Sequence, residues 1–215
     1  MHISTRVDQT RILQADEIQA VIESLDSKTT KNAAINHTLF RLSCCVGLRR
    51  CEIHGLNLGD VVTHGPRPHV RVRPETSKAN SKGNRKGRKV PLWWDSGTRE
   101  HLQAWQEWRF QHGGKPSSPF LIGVKAGIDP EGRLAMKAIQ KRWKTAIAIL
   151  GKARQSQISV HDGRHSFASH SLQAGRSLVE VRDALGHSNV SITSIYLHML
   201  DRNDVPDVFQ MRKAK

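Results

Sequence analysis

The stretch Val160-His161-Asp162-Gly163-Arg164-His165-Ser166-Phe167-Ala168-Ser169-His170 decides how this chain reads, together with Leu185-Gly186-His187-Ser188-Asn189 and Tyr196 downstream. It sets His161 and Arg164 one helical turn apart, and places His187 just past a glycine-ended helix. Tyr196 is the only tyrosine of the chain. Far upstream, Gly47-Leu48-Arg49-Arg50-Cys51-Glu52 brings a second arginine in a similar setting. Two arginines, two histidines and one phenol suit attack on a phosphodiester. Guanidiniums bind non-bridging oxygens through paired N–H groups, where charge develops in the transition state. A phenol becomes a nucleophile when its proton is removed in flight. Histidine can take that proton or hold a phosphate oxygen. The leaving sugar oxygen needs a proton in turn, which a lysine on a basic hairpin can donate.

Composition points to the same partner. The chain has 215 residues, room for one good-sized domain. Its formal net charge is +15 and its pI about 10.4, an excess that favours polyanions. Double-stranded DNA is expected before an anionic membrane, because no basic amphipathic anchor, lipidation signal or membrane-length apolar run is found. Met1 to Gln14 is polar and lacks a signal-peptide core. Cys44, Cys45 and Cys51 are odd in number and form no Cys-x-x-Cys pair, so a reducing compartment, the cytoplasm and its nucleoid, is expected. No carboxylate cluster of metal-ligand character accompanies the basic set, which argues against two-metal nuclease chemistry. His-Glu-x-x-His and P-loop patterns are missing. Neither a metal nor a cofactor is expected.

Hydrophobic spacing predicts a mainly helical domain with a small antiparallel sheet on one edge, an α+β fold. Helices are expected from Gln14 through Leu25, from Lys31 to Val46, and from Arg49 to Gly55. Strands are expected at Asp60–Val62, His69–Arg73 and Arg88–Leu92. The last two flank a basic tip, Ser77 to Gly87, suited to reaching along a phosphate backbone. Lys78, Arg85, Lys86 and Arg88 are the candidate DNA contacts there. Thr98–His112 is read as a helix with Trp105 and Trp108 inward. Arg133–Leu150 is read as one helix whose polar face meets DNA or solvent. Further helices are expected from His161 to Gln173, from Ser177 to Leu185 behind a capping box, and after Ser188 as its cap. Glu52, one turn after Arg49, forms a surface salt bridge or fixes that guanidinium for a ligand. His165 is read as packed, and His170 and His198 as structural or DNA-adjacent.

Gly47-Leu48-Arg49-x-x-Glu52, His161-x-x-Arg164-His165 and Leu185-Gly186-His187-Ser188 followed by Tyr196-x-His198 resemble, in order, the three boxes of the tyrosine recombinase, or phage integrase, catalytic domain. The resemblance covers residues 11 to 200. It implies a site-specific recombinase that cleaves and rejoins DNA through a 3′-phosphotyrosyl bond, without ATP or metal. Tyr196 would attack, Arg49 and Arg164 would clamp the phosphate, and His161 would be the acid/base group. His187 would assist on a phosphate oxygen, and Glu52 would support Arg49. Ser81-Lys82-Gly83-Asn84 resembles the family's lysine turn, so Lys82 would be the general acid, with Lys78 its rival. Two other readings stand beside this one: a nicking-closing topoisomerase of the same chemistry, and a binding-only or truncated relative. The resemblance also implies four protomers in a synapse, with the tail 201–215 on a neighbour. The domain is expected to span 14–200, after a polar segment 1–13 and without the helical core-binding domain that most members carry; the chain is then a fragment or a short stand-alone member. Gly163 replaces the family's larger apolar residue and is expected to loosen the start of its helix.

Overall fold

The computed structural model describes residues 8–77, 79, 83–123 and 131–197. Helix α1 (Ala15–Asp26) carries Asp16 and Glu17 in its first turn, and the Glu17 carboxylate accepts from the Gln14 N–H at 2.8 Å. That satisfies a donor that a helix end leaves open. Thr30 caps α2 (Lys31–Cys44), its hydroxyl accepting from Ala33 N–H. From Ile35 to Cys44 every residue of α2 is buried, polar ones included, which marks a helix surrounded by others. It packs against α1, α5 (Met136–Ala146) and α7 (Val160–Gln173). Helix α2 stops short of the expected Val46, and Gly47 turns the chain at φ +70° into α3 (Arg50–Gly55).

Strands β1 (Val61–Val62), β2 (His69–Val72) and β3 (Arg88–Pro91) form an antiparallel sheet in that order. Val70 faces Val61 on one side and Val90 on the other. Alternation turns Val70, Val72 and Val90 into the core and Arg71 and Lys89 outward. Helix α4 (Ser96–Gln111) is capped by Asp95, which accepts from Thr98 N–H at 3.0 Å. Trp105 is buried and Trp108 packs beside it, as the spacing predicted.

Beyond the sheet the expectations need three corrections. The helix read as Arg133–Leu150 runs only from Met136 to Ala146, and a separate α6 (Gly151–Gln157) opens at Gly151, φ +82°. Gly151-Lys152-Ala153-Arg154-Gln155-Ser156-Gln157 has no apolar stripe to announce it; Arg154 anchors it instead on Glu17 at 2.6 Å. Helix α8 (Leu178–Leu185) has its capping box on Ser177 and Glu180. Ser188 caps nothing: α9 (Ser191–Ser194) starts later, and Asn189 Oδ1 accepts from Ser191 N–H at 3.0 Å.

The third correction concerns Gly163. A Cβ there would lie 2.3 Å from Ser43 Oγ and 2.8 Å from Trp143. The glycine thus lets α7 close on α2 and α5, and does not loosen the helix. Packing also extends ahead of α1. Ile12 and Leu13 are buried, and Leu13 N–H donates to Ser166 Oγ at 2.9 Å. His170 Nε2 meets the Leu13 carbonyl at 2.8 Å, a structural role. Arg142, on the polar face of α5, binds Asn36 and Asn32. Among the described residues no helix is long and apolar enough to cross a membrane.

Candidate active site

The site is assembled around the C-terminus of α8. Gly186 ends that helix in the left-handed region, at φ +65°, a conformation that glycine adopts without penalty. The last carbonyls of α8 then need donors, and three arginines from three other elements supply them. Arg164 of α7 donates to Leu185 O at 2.6 Å and to Gly47 O at 2.7 Å. Arg49, the residue before α3, reaches the same Leu185 carbonyl at 3.4 Å. Arg88 of β3 donates from Nε to Ala184 O at 2.6 Å. Cations at a helix C-terminus also complement its dipole. Gly186 is required twice over, since a Cβ there would come within 2.7 Å of Arg88 Cδ.

Glu52 joins the same three arginines from below. Its carboxylate takes both terminal nitrogens of Arg88, at 2.7 and 2.8 Å, and Arg49 Nη1 at 3.0 Å. Arg164 Nη1 stands 3.9 Å away. Burial alone would raise the Glu52 carboxyl, but hydrogen bonds and charge from Arg88, then the Arg164 charge, hold it down at about 2. Burial, with Arg49 beside it, brings Arg164 down to about 9, still protonated at neutral pH. Three guanidiniums around one carboxylate leave an excess of positive charge, most of it desolvated, and a bound anion would offset it. Arg49 is half-buried and Arg164 buried, so Arg49 is the more accessible of the pair.

A cleft of about 370 Å³ opens above this knot, lined by Arg49, His161, Arg164, His165, His187 and Tyr196. Five residues expected from the sequence therefore converge: Arg49, His161, Arg164, His187 and Tyr196. Tyr196 is only 2% exposed. Its hydroxyl lies 2.5 Å from His165 Nδ1, a residue read from the sequence as mere packing. The signal for it is its place one turn after His161, which puts both rings on one face of α7; the rings meet edge to face with centroids 4.7 Å apart. His187 Nδ1 sits 2.9 Å from Thr193 Oγ1, which leaves Nε2 for a ligand. Burial, reinforced by Arg164 and Arg49, pushes His187 down to about 3. Burial, and next the charge on Arg164, lowers His161 as well. The Tyr196 phenol is raised to about 12 by burial, against the pull of Arg164 and Arg49.

The candidate DNA contacts divide. Lys86 is exposed and lines a neighbouring groove of about 630 Å³ that shares Arg49, Gly186 and His187 with the cleft. Arg85 is exposed too, with one terminal nitrogen on the carbonyls of Glu75 and Ser77. Arg88 is a correction: its three donor nitrogens are engaged by Glu52 and Ala184, so it braces the site from inside. Glu52 likewise braces all three arginines, not Arg49 alone, and is no surface pair. Lys78, Lys82, His198 and the tail lie outside the described residues.

One other set of side chains has metal-ligand character among the described residues: Asp26, His37 and His101. Arg41 Nε donates to His37 Nε2 at 2.7 Å, which directs the His37 Nδ1–H to Asp26 at 3.1 Å. Both nitrogens of His37 are thus engaged, and a neighbouring guanidinium repels a cation. The donor set does not fit a metal.

A model of the phage integrase family matches residues 11–203. The tyrosine recombinase XerC of Neisseria gonorrhoeae is 36% identical over 164 residues, which are 76% of this chain and 47% of that protein. The chain thus spans about half the length of the curated relatives it matches. The crystal structure of XerA recombinase superposes with a TM-score of 0.68 at 20% identity, covering 94% of this chain and 62% of the other. XerH site-specific recombinase, in a post-cleavage complex with a palindromic difH substrate, superposes at 0.64 with 23% identity, over 89% of this chain and 50% of its own. At such identities the two structures speak for the fold, which is that of recombinase catalytic domains. With the family model spanning nearly the whole chain, this protein belongs to the phage integrase family.

Proposed function

We propose that this chain is the catalytic unit of a site-specific DNA recombinase that breaks and rejoins double-stranded DNA through a phosphotyrosine. One observation carries the reading: the only tyrosine of the chain lines the same cleft as two arginines and two further histidines that a phosphodiester would need. Arg49 and Arg164 hold the non-bridging oxygens, with donors already oriented by Leu185 O and Glu52. His187, fixed by Thr193, offers its other nitrogen to the phosphate, and one of the two α7 histidines that line the cleft, His161 or His165, takes the phenol proton. Tyr196 attacks phosphorus, and the 5′ oxygen leaves with a proton from a hairpin lysine, Lys82 or its rival Lys78. The phosphotyrosine retains the energy of the broken bond, so a second 5′-hydroxyl reverses the step without ATP.

The partner is double-stranded DNA, met by the basic groove of Lys86, Lys89, Arg182 and the exposed Arg85. Four protomers form the synapse, and the place of action is the cytoplasm, at the nucleoid. The test is a denaturing gel for a covalent adduct on nicked DNA, run with a chelator present. An adduct lost in Tyr196→Phe is expected. Cleavage that needs added metal, or that persists in Tyr196→Phe, refutes the proposal.

A further inference from the structure

Tyr196 is buried, yet its hydroxyl is already engaged by the histidine that follows Arg164. Among the described residues the phenol bonds to His165 Nδ1 at 2.5 Å, whereas His161 meets the His165 ring, edge to face. His161 is exposed at the rim and His165 is half-buried behind it. We propose that His165, not His161, receives the Tyr196 proton as the phenol oxygen attacks phosphorus. The assignment rests on the strand-transfer reading above and deepens it.

The atoms balance as follows. Tyr196 Oη forms its bond to phosphorus while its proton moves to His165 Nδ1. The bond from phosphorus to the 5′ oxygen breaks with its electron pair, and that oxygen is protonated by the general acid, the role given to the hairpin lysine. His165 is left as an imidazolium. In the rejoining step Nδ1 returns its proton to the departing phenolate oxygen, and the attacking 5′-hydroxyl gives its own to the deprotonated general acid. Nothing beyond the chain and the DNA is consumed.

Several features suit His165 to this part. Nδ1 must be unprotonated to accept, and the ring is held neutral: burial, then His161, outweigh the Asp162 carboxylate and bring it to about 4. Arg11 and Arg164 add to the depression. A phosphate between Arg49 and Arg164 offsets positive charge near the ring and raises its basicity when the proton arrives. The phenol grows more acidic as its oxygen bonds to phosphorus, so the transfer becomes favourable during attack. Arg11 also pairs with Asp162 at 3.0 Å, which ties the buried carboxylate below the two rings to the start of the domain.

The experiment uses the chain's own composition. Because Tyr196 is the only tyrosine, growth on difluorotyrosine puts a more acidic phenol at the nucleophile alone. Adduct formation on nicked DNA is timed for the unsubstituted chain and for His165→Asn, each with tyrosine and with fluorotyrosine. Asparagine keeps an acceptor near the Nδ1 position but cannot take a proton; His165→Gln serves as the second variant, and gel shift checks that each still binds DNA. The expected result is a loss of roughly 10²- to 10⁴-fold in His165→Asn, largely restored by fluorotyrosine. A purely structural histidine would be replaced by asparagine at little cost. His165→Asn and His165→Gln variants as fast as the unsubstituted chain, or slow and not restored by fluorotyrosine, overturn the assignment alone. No adduct from the unsubstituted chain overturns the strand-transfer reading, and the assignment with it.

Discussion

Two pairs of histidines meet ring to ring in this molecule, and they do opposite things. His37 of α2 and His101 of α4 lie with centroids 3.9 Å apart; His161 and His165 of α7 lie 4.7 Å apart. Both pairs adjoin an arginine and an aspartate. Burial and then Arg41 push His37 to about 4, burial with His37 and Arg41 pushes His101 to about 3, and burial brings His165 to about 4. By titration the pairs are hard to tell apart. By hydrogen bonding they are not. Arg41 and Asp26 take both nitrogens of His37, and Thr38 meets His101 Nε2 at 3.0 Å. The α7 pair instead faces a cleft and the hydroxyl of a tyrosine. A depressed histidine marks a site only where its nitrogens and neighbours are left over for a ligand.

The comparison breaks most sharply at the arginines. Arg164→Ala should lower the adduct rate by about 10² to 10³, the usual loss for an oriented donor at developing charge. Arg41→Ala, which removes the corresponding cation beside His37, should leave that rate unchanged at temperatures where it is folded. Timed adduct gels on both variants decide the matter; equal losses would erase the distinction.

Glu52→Gln comes next. It leaves three buried or half-buried guanidiniums around a neutral amide, and breaking such a cluster costs roughly 3–5 kcal/mol. Thermal unfolding should fall by on the order of 10 °C in a domain of this size. The sign of the pH effect follows from the depressed pKa. Glu52 is held at about 2, against an ordinary 4.5, so its contribution is intact above 4.5 and lost as pH falls toward 2. The stability gap between the unsubstituted chain and Glu52→Gln should therefore be flat above about pH 5 and close below it.

Gly163→Ala should cost about 1–3 kcal/mol by overpacking against Ser43 and Trp143, read as a shift in denaturant midpoint. The histidines supply a smaller effect. His101 is depressed from 6.5 to about 3, so its share of stability is complete above 6.5 and declines as pH falls toward 3. His101→Gln should flatten that acid slope in melting curves while leaving adduct formation at neutral pH alone. Smallest of all, added zinc should not raise the melting temperature through Asp26, His37 and His101.

Much of this is legible in the amino-acid sequence. The stripe Ile35, Leu39, Leu42 gave α2, the alternation His69 to Arg73 gave β2, and Arg49, His161, Arg164, His187 and Tyr196 stood out by chemistry and spacing. What escaped depends on long-range partners. Arg88 reads as one more cation of a basic hairpin until Glu52, 36 residues away, is seen to take both its terminal nitrogens. His165 reads as packing until the tyrosine 31 residues later arrives at its Nδ1. Gly163 reads as a weak point because nothing local reveals Ser43 and Trp143 pressed against it. Helix α6 has no periodicity to read, being held by Arg154 on Glu17 across 137 residues.

The Leu185 carbonyl, shared by Arg49 and Arg164, bears on the order in which the cleft is assembled. Arg49 lies 136 residues before that oxygen. A growing polypeptide emerges from its N-terminus, so α1 to α7 can collapse around α2, with Arg164 on Gly47 O and Arg49 on Glu52, before either guanidinium meets the α8 carbonyl. Both guanidiniums are fixed from that side only when α8 docks, and Tyr196 follows Leu185 by eleven residues. The cleft therefore takes its shape last, from the stretch Gly186 to Tyr196 that follows α8 and closes over α7.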